Sequence, residues 1–360
     1  MESIINSSKQ MPMTLHKDKV MFQQLIKQTS DNFRISAKFV ELDYWMTLML
    51  NRIALSSQND LVVLTGAFAL SVAYRISNRV SDHLDILTIN DNLTLDGIEW
   101  MHHRILDSIV ADDLSVKKIE YKHENVQFPL ITMEPCSLGK KKNKEERIVV
   151  DIKPIGIGHS YQIQPISCLI GDFLDKIHAT ETMIGYNILP FEVYVVEPCR
   201  ILRGKMAMLS RLSCATDAIP LLTQYIRYFY DIFELFCNED CARYVQSQNF
   251  KADYTIIFVL NKHIYVEPQG WVSFEPCKTP LILNFKTLWE QLYPAYEQAL
   301  APLVYSGHVP DKDVIQECFE ELIAQITYIP DSLDIKPIKR RRIKERKPRK
   351  PHKNYHPEAQ

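Results

Sequence analysis

The stretch LVVLTGAFALSVAYRISNRVSDHLDILTI, residues 61–89, decides how this chain is read. LVVLT, 61–65, is short and apolar, the pattern of a buried strand, and Gly66 ends it. FALSVAYRI, 68–76, follows with helical spacing that puts Leu70, Ala73 and Tyr74 on the inner face. HLDILTI, 83–89, then alternates. His83, Asp85 and Leu87 share one side, and Leu84, Ile86 and Thr88 share the other. A glycine that joins a buried strand to a helix leaves free amides and a positive dipole end, a setting that suits phosphate.

Working outward, residues 18–56 carry helical spacing, with Val20, Phe22, Leu25 and Ile26 and then Trp45, Leu48, Leu50 and Ile53 three or four apart. A helix is expected over about 93–109, and strands at SVKKIEYKH (115–123), VQFPLITME (126–134), IVVDI (148–152) and FEVYVVE (191–197). A basic loop, GKKKNKEER (139–147), precedes IVVDI. A helix over 199–212 and a long one through about 217–236 come next. Helices and apolar strands, YTIIFVL among them, should fill 239–329.

The composition is 46% hydrophobic and 24% charged, which is ordinary for a folded, soluble protein. With 10 glycines in 360 residues, glycine-rich dinucleotide loops and repeat arrays are not expected. The N-terminus lacks the apolar segment of a signal peptide, and the apolar runs are too short to span a bilayer. No membrane partner is expected, and the cytoplasm is the expected location. Eight scattered cysteines read as reduced and structural. Cys237 and Cys241 would share a helix face, but no second ligand pair follows. His102 and His103, adjacent in a helix, read as surface residues. The net charge of −2 hides an asymmetry. Between Lys336 and Lys353, eleven Lys and Arg face only Glu345, about +10, which leaves about −12 for the rest.

The chemistry lies in the order Gly66, then His83-Leu84-Asp85, then Asp151. In nucleotidyl transfer a strand carries two carboxylates at i and i+2. Period-2 alternation aims both at one spot, where two Mg²⁺ ions bridge a triphosphate, and a third carboxylate arrives from a neighbouring strand. Asp151 interrupts an apolar run, where a charge needs a partner or a metal. In a regular strand Asp82 points to the face opposite Asp85, unless a bulge at His83 brings it round.

These residues resemble the signature of the AbiEii/AbiGii toxin nucleotidyltransferases, in which an apolar strand runs into Gly-Gly-Thr-Ala-Leu and an Arg-x-Ser-x-Asp-Leu-Asp strand follows. Gly66, Ala69 and Leu70 match the first element, and Arg79, Ser81, Leu84 and Asp85 the second. IVVDI resembles the strand of the third metal-binding acid, Asp151. EPCRILRGKMAMLSRL is similar to a helix with an Ala-Glu-Lys-Leu core and places Lys205 at the nucleotide-binding lysine. RYFYDIFELF is similar to an Arg-Asp-x-Tyr-Asp-Leu element and places Arg227, Tyr230 and Asp231. The departures are His83 for the first Asp, Ala67 for the second Gly, Phe68 for Thr and Tyr228 for an acid. A neutral imidazole suits Zn or Mn better than Mg and cannot bridge two ions.

The resemblance implies an α/β, nucleotidyltransferase-like mixed sheet flanked by helices. Periodicity and composition, with that resemblance at the centre, divide the chain into an N-terminal helical segment (1–58), a nucleotidyltransferase-like core (59–198), a helix-rich region (199–330) and a basic tail (331–360) expected to be disordered. The resemblance further implies NMP transfer from an NTP to an acceptor such as tRNA by the toxin of a toxin–antitoxin or phage-defence system. Asp85, Asp151 and Asp231 would be catalytic, and Gly66, Arg79, Ser81, Lys205 and Arg227 would bind nucleotide. His83, Asp85 and Asp151 would hold Mg²⁺ or Mn²⁺. A cognate antitoxin is an implied partner, and the tail is expected to attract RNA or another polyanion. The substitutions also keep open a catalytically inactive relative that binds nucleotide, RNA or a protein.

Overall fold

Among the described residues seven strands build one mixed sheet, because their apolar residues face layers of helix on one side or both. They are β1 (Val62–Thr65), β2 (His83–Thr88), β3 (Leu114–Lys122), β4 (Phe128–Pro135), β5 (Ile148–Pro154), β6 (Tyr161–Ile166) and β7 (Phe191–Val196). Their spatial order is β3-β4-β5-β2-β1-β7-β6. The computed structural model describes residues 11–89, 95–122, 128–135, 148–154, 160–305 and 309–327. The basic loop expected at 139–147 and the tail expected at 331–360 lie outside them.

The centre of the sheet fixes the functional geometry. β2 runs antiparallel to β1 and parallel to β5, and β1 runs parallel to β7. Leu84 and Ile86 of β2 and Val150 and Ile152 of β5 are all buried. Alternation therefore sends Asp85 and Asp151 to the opposite face, where the register sets them directly beside each other. A one-residue slip of β5 would bury Asp151 in the apolar layer and lift Val150 out, so burial of the apolar set holds the acids in line.

The Ala37–Ala54 helix is buried along most of its length, including Tyr44, Trp45, Leu48 and Met49. After β7 the described chain is helical, from Pro198–Leu212 to Lys312–Thr327. Its centre is an aromatic group. Phe229 lies 5.2 Å from Trp289 and 5.1 Å from Phe319 between ring centroids, and Phe285 stacks on Phe319 at 4.8 Å. One hydrophobic cluster contains residues from Met13 to Ile326.

Several local expectations change. The helix expected at 217–236 is two helices, Ala218–Gln224 and Arg227–Cys237. YTIIFVL forms no strand but lies inside the Gln248–Ile264 helix, where Phe250, Tyr254 and Phe258 are buried at four-residue spacing. Its β-branched run imitates a strand, and the single buried stripe decides for helix. Periodicity assigned nothing between IVVDI and FEVYVVE, where β6 and the helices Leu169–Lys176 and Thr180–Gly185 stand. His102 is buried rather than on the surface. Cys237 and Cys241 fall on separate helices, and the neighbour of Cys241 Sγ is Cys199 Sγ at 3.5 Å. Among the described residues no helix is long and apolar enough to cross a membrane.

Phe229→Ala should lower the unfolding free energy by about 3–5 kcal/mol, because it empties the middle of the aromatic group. Denaturant unfolding measures this, and a loss below about 1 kcal/mol would show that the group is not a packed core.

Candidate functional site

The site begins at Gly66, between β1 and the Gly66–Val72 helix. Its φ is +77°, a conformation L side chains rarely adopt, and a Cβ built there would stand 2.0 Å from Asp85 Oδ2. Two separate constraints thus demand glycine. The second constraint is the site itself, because the Asp85 carboxylate fills the space beside the Gly66 Cα. Thr65 pairs with Asp85 across β1 and β2, which fixes that contact in register.

Asp85 and Asp151 line one open cavity of about 400 Å³. Arg79, Ser81, Asp82 and His83 line it from the β2 side, Lys153 from β5, and Lys205, Tyr225, Arg227 and Tyr228 from the helices after β7. The two acids meet beside the glycine that precedes the helix, the convergence expected from the alternating strands.

The cavity is a set of matched charges. Lys153, two residues after Asp151 and so on the same face, donates to Asp151 Oδ2 at 2.6 Å. Asp82 accepts from Arg227 at 2.6 Å and holds His83 Nδ1 at 2.8 Å. Behind the cavity the fully buried Asp231 accepts two hydrogen bonds from Arg79, at 2.6 and 2.7 Å, and faces Lys205 Nζ at 2.9 Å. Lys205 also sits 3.7 Å above the ring of Tyr228. Among the described residues Asp82 and Asp151 each close an ion pair, whereas Asp85 closes none.

Protonation follows these contacts. Burial, with Asp151 adding to it and Lys153 opposing, raises Asp85 above the ordinary carboxylate range. Burial works against the Lys153 ammonium, but the Asp151 charge outweighs it and the lysine pKa rises. Burial also opposes ionisation of Asp82, yet His83 and Arg227 overcome it and hold this carboxyl far below its usual range. The same Asp82 contact outweighs desolvation at His83 and raises the imidazole pKa. Asp231, buried but held by Arg79 and Lys205, is depressed to about 2.

The residues named from sequence take distinct positions. Gly66, Arg79, Ser81, His83, Asp85, Asp151, Lys205 and Arg227 come together. Gly66 touches Asp85, and the others line the cavity. Ser81 Oγ donates to the His83 carbonyl at 3.0 Å and accepts from its amide at 3.3 Å, closing the turn before β2. Asp231 does not line the cavity, and its carboxylate holds two of the cations that do. Asp82 does line it. β2 begins at His83, so strand alternation does not extend back to Asp82, and the bend there turns its side chain toward Arg227. Lys153, Tyr225 and Tyr228 were missed as site residues. Period 2 from Asp151 could have found Lys153, Tyr228 was marked only as the residue in place of a motif acid, and Tyr225 carries no local signal.

Two carboxylates stand in register on one face of a mixed sheet, with basic side chains from the following helices around them, the layout expected of a nucleotidyltransferase fold. Residues 48–252 match the family described as "Nucleotidyl transferase AbiEii toxin, Type IV TA system", more than half of the chain. The chain belongs to that family. No curated protein matches it. Among solved structures it is similar to MenT4, the nucleotidyltransferase toxin Rv2826c of Mycobacterium tuberculosis H37Rv, at 11% identity and a TM-score of 0.47, over 84% of this chain and 98% of that one. It is also similar to JHP933 of Helicobacter pylori, at 12% identity and a TM-score of 0.38, over 81% of this chain and 93% of that one.

Asp231→Ala should cost about 3–5 kcal/mol, because it strands the buried guanidinium of Arg79 and the ammonium of Lys205. The pH dependence has a fixed sign. With a folded pKa near 2 against an ordinary 3.8, the Asp231 contribution is complete above the ordinary value and fades as pH falls toward 2. Unfolding free energies of wild type and variant, measured from pH 5 downward, should converge, and parallel curves would contradict the assignment.

Proposed function

We propose that this chain transfers a nucleoside monophosphate from an NTP to an acceptor such as a tRNA end, as the toxin of a toxin–antitoxin pair in the cytoplasm. The observation that carries the reading is the register of Asp85 beside Asp151, on the open face of the sheet and against Gly66. Lys205 and Arg227 reach the same cavity and are placed to hold phosphates, with Arg79 behind them. Tyr225, 5.4 Å from Tyr228 between ring centroids, offers an aromatic wall against which a base can stack.

The donor set fits a divalent cation such as Mg²⁺ or Mn²⁺ shared with a triphosphate. Asp85 and Asp151 present hard carboxylate oxygens side by side, and such ions take one or two carboxylates when phosphates supply further ligands. Among the described residues no three His, Cys, Asp or Glu converge as a closed ligand group, and His83 Nδ1 is engaged by Asp82. When bound, the ion neutralises charge on the phosphates and lowers the pKa of the attacking hydroxyl. The work of this chain's own residues is orientation. Asp231 holds Lys205 and Arg79 in place, and Asp82 holds Arg227.

The acidic remainder of the chain carries about −12, whereas the segment from Lys336 to Lys353 carries about +10, so RNA would be drawn to the tail. A cognate antitoxin is the protein partner that family membership points to.

A second reading, a nucleotide-binding relative without turnover, is favoured by His83 in the place of an acid and by the Lys153 ammonium on Asp151. The full chain incubated with labelled NTPs, Mg²⁺ or Mn²⁺ and a tRNA pool separates the two. The transferase reading expects label in RNA, reduced at least about 10³-fold in Asp85→Ala and Asp151→Ala. Nucleotide binding without incorporation, with incorporation appearing in His83→Asp, selects the second reading. Incorporation that persists in Asp85→Ala contradicts both.

A further inference from the structure

Three carboxylates reach the cavity, and two are already matched by cations of this chain. Asp82 holds Arg227 at 2.6 Å, and Asp151 holds the Lys153 ammonium at 2.6 Å. The side chain of Lys153 is 28% exposed, so it stands at the cavity wall and not in solvent. Two cations in a phosphoryl-transfer site need a carboxylate that bridges them and further acids around it. At that position β2 carries His83, whose imidazole cannot bridge and whose Nδ1 lies on Asp82.

A lysine is a fixed monovalent charge on a stem that reaches several ångströms, and it binds phosphate oxygens as a point charge. Lys153 is held on the acid-bearing face by strand alternation, one register step from Asp85 and Asp151, since Leu87 of β2 pairs with it. An ammonium at that place neutralises Asp151 within the cavity wall. The same ammonium lines the cavity, within reach of an anion that enters it. Asp85, which closes no ion pair among the described residues, is the acid left for a cation.

We infer that the site takes a single divalent cation with its nucleotide, on Asp85 with Asp151 beside it, and that the Lys153 ammonium supplies the neutralising charge that a second cation would otherwise bring. The inference rests on the nucleotide-handling reading above and concerns how that site balances charge.

Native mass spectrometry of the full chain counts the metal directly. The probes are Mn²⁺ and the α,β-methylene analogues of ATP, CTP, GTP and UTP, each tested alone. The expected complex contains one Mn²⁺ per bound analogue. At saturating Mn²⁺, Lys153→Met should weaken analogue binding about tenfold, and Lys153→Arg, which keeps the charge, should remain within about threefold of wild type. Two Mn²⁺ per complex would overturn the inference and leave the nucleotide reading standing. So would unchanged affinity in Lys153→Met. If none of the four analogues binds wild type, the nucleotide reading fails and the inference with it. The metal count needs no variant, so a folding defect in Lys153→Met cannot obscure it.

Discussion

The carboxylate of Asp85 lies where a side chain on residue 66 would have to be, and much of the site follows from that contact. Only glycine tolerates both the left-handed φ of +77° and an oxygen 2.0 Å from the position of its missing Cβ. The close approach lets β2 bring its acid to the edge of β1. Parallel pairing with β5 then adds Asp151 alongside. A methyl group at residue 66 would push Asp85 away from that position and disturb the pair. Backbone geometry and acid placement are therefore one constraint, imposed by the sheet and not by any binding partner.

A second layer keeps the cations in place. Asp231 carries no exposed surface, yet it determines where Arg79 and Lys205 point. A buried carboxylate held by two bases is costly to desolvate and more costly to break. Its value here is orientation, because two long flexible side chains are fixed at the rear of a polar cavity. Asp82 does the same for Arg227 at the mouth, with His83 as a further partner. The cavity is thus lined by bases with carboxylates of their own, an arrangement that can receive a polyanion without relying on a large excess of unpaired charge.

How much of this was legible in the sequence depended on whether the relevant period was local. Alternation in HLDILTI and the acid inside IVVDI gave Asp85 and Asp151 the correct faces, because apolar residues on both strands bury the other side. The same rule placed Asp82 wrongly for a physical reason. It assumes a strand, and β2 starts one residue later. Lys153 obeys the same rule, two residues after Asp151 and on its face. Tyr225 and Tyr228 could not be found this way, since the break between the Ala218–Gln224 and Arg227–Cys237 helices, which looked like one continuous helix, sets their direction. YTIIFVL shows the limit of composition: β-branched residues were read as strand, and one buried stripe among neighbouring helices made them helical.

If Asp85 and Asp151 act together at one locus, the effects of substituting them are coupled. A double-mutant cycle with Asp85→Asn and Asp151→Asn, read as Mn²⁺-dependent affinity for a non-hydrolysable NTP analogue, tests this directly. Shared action predicts strong non-additivity, with the double variant no weaker than the worse single variant within about threefold. Fully additive losses would mean that the two acids act at separate places and not as one pair.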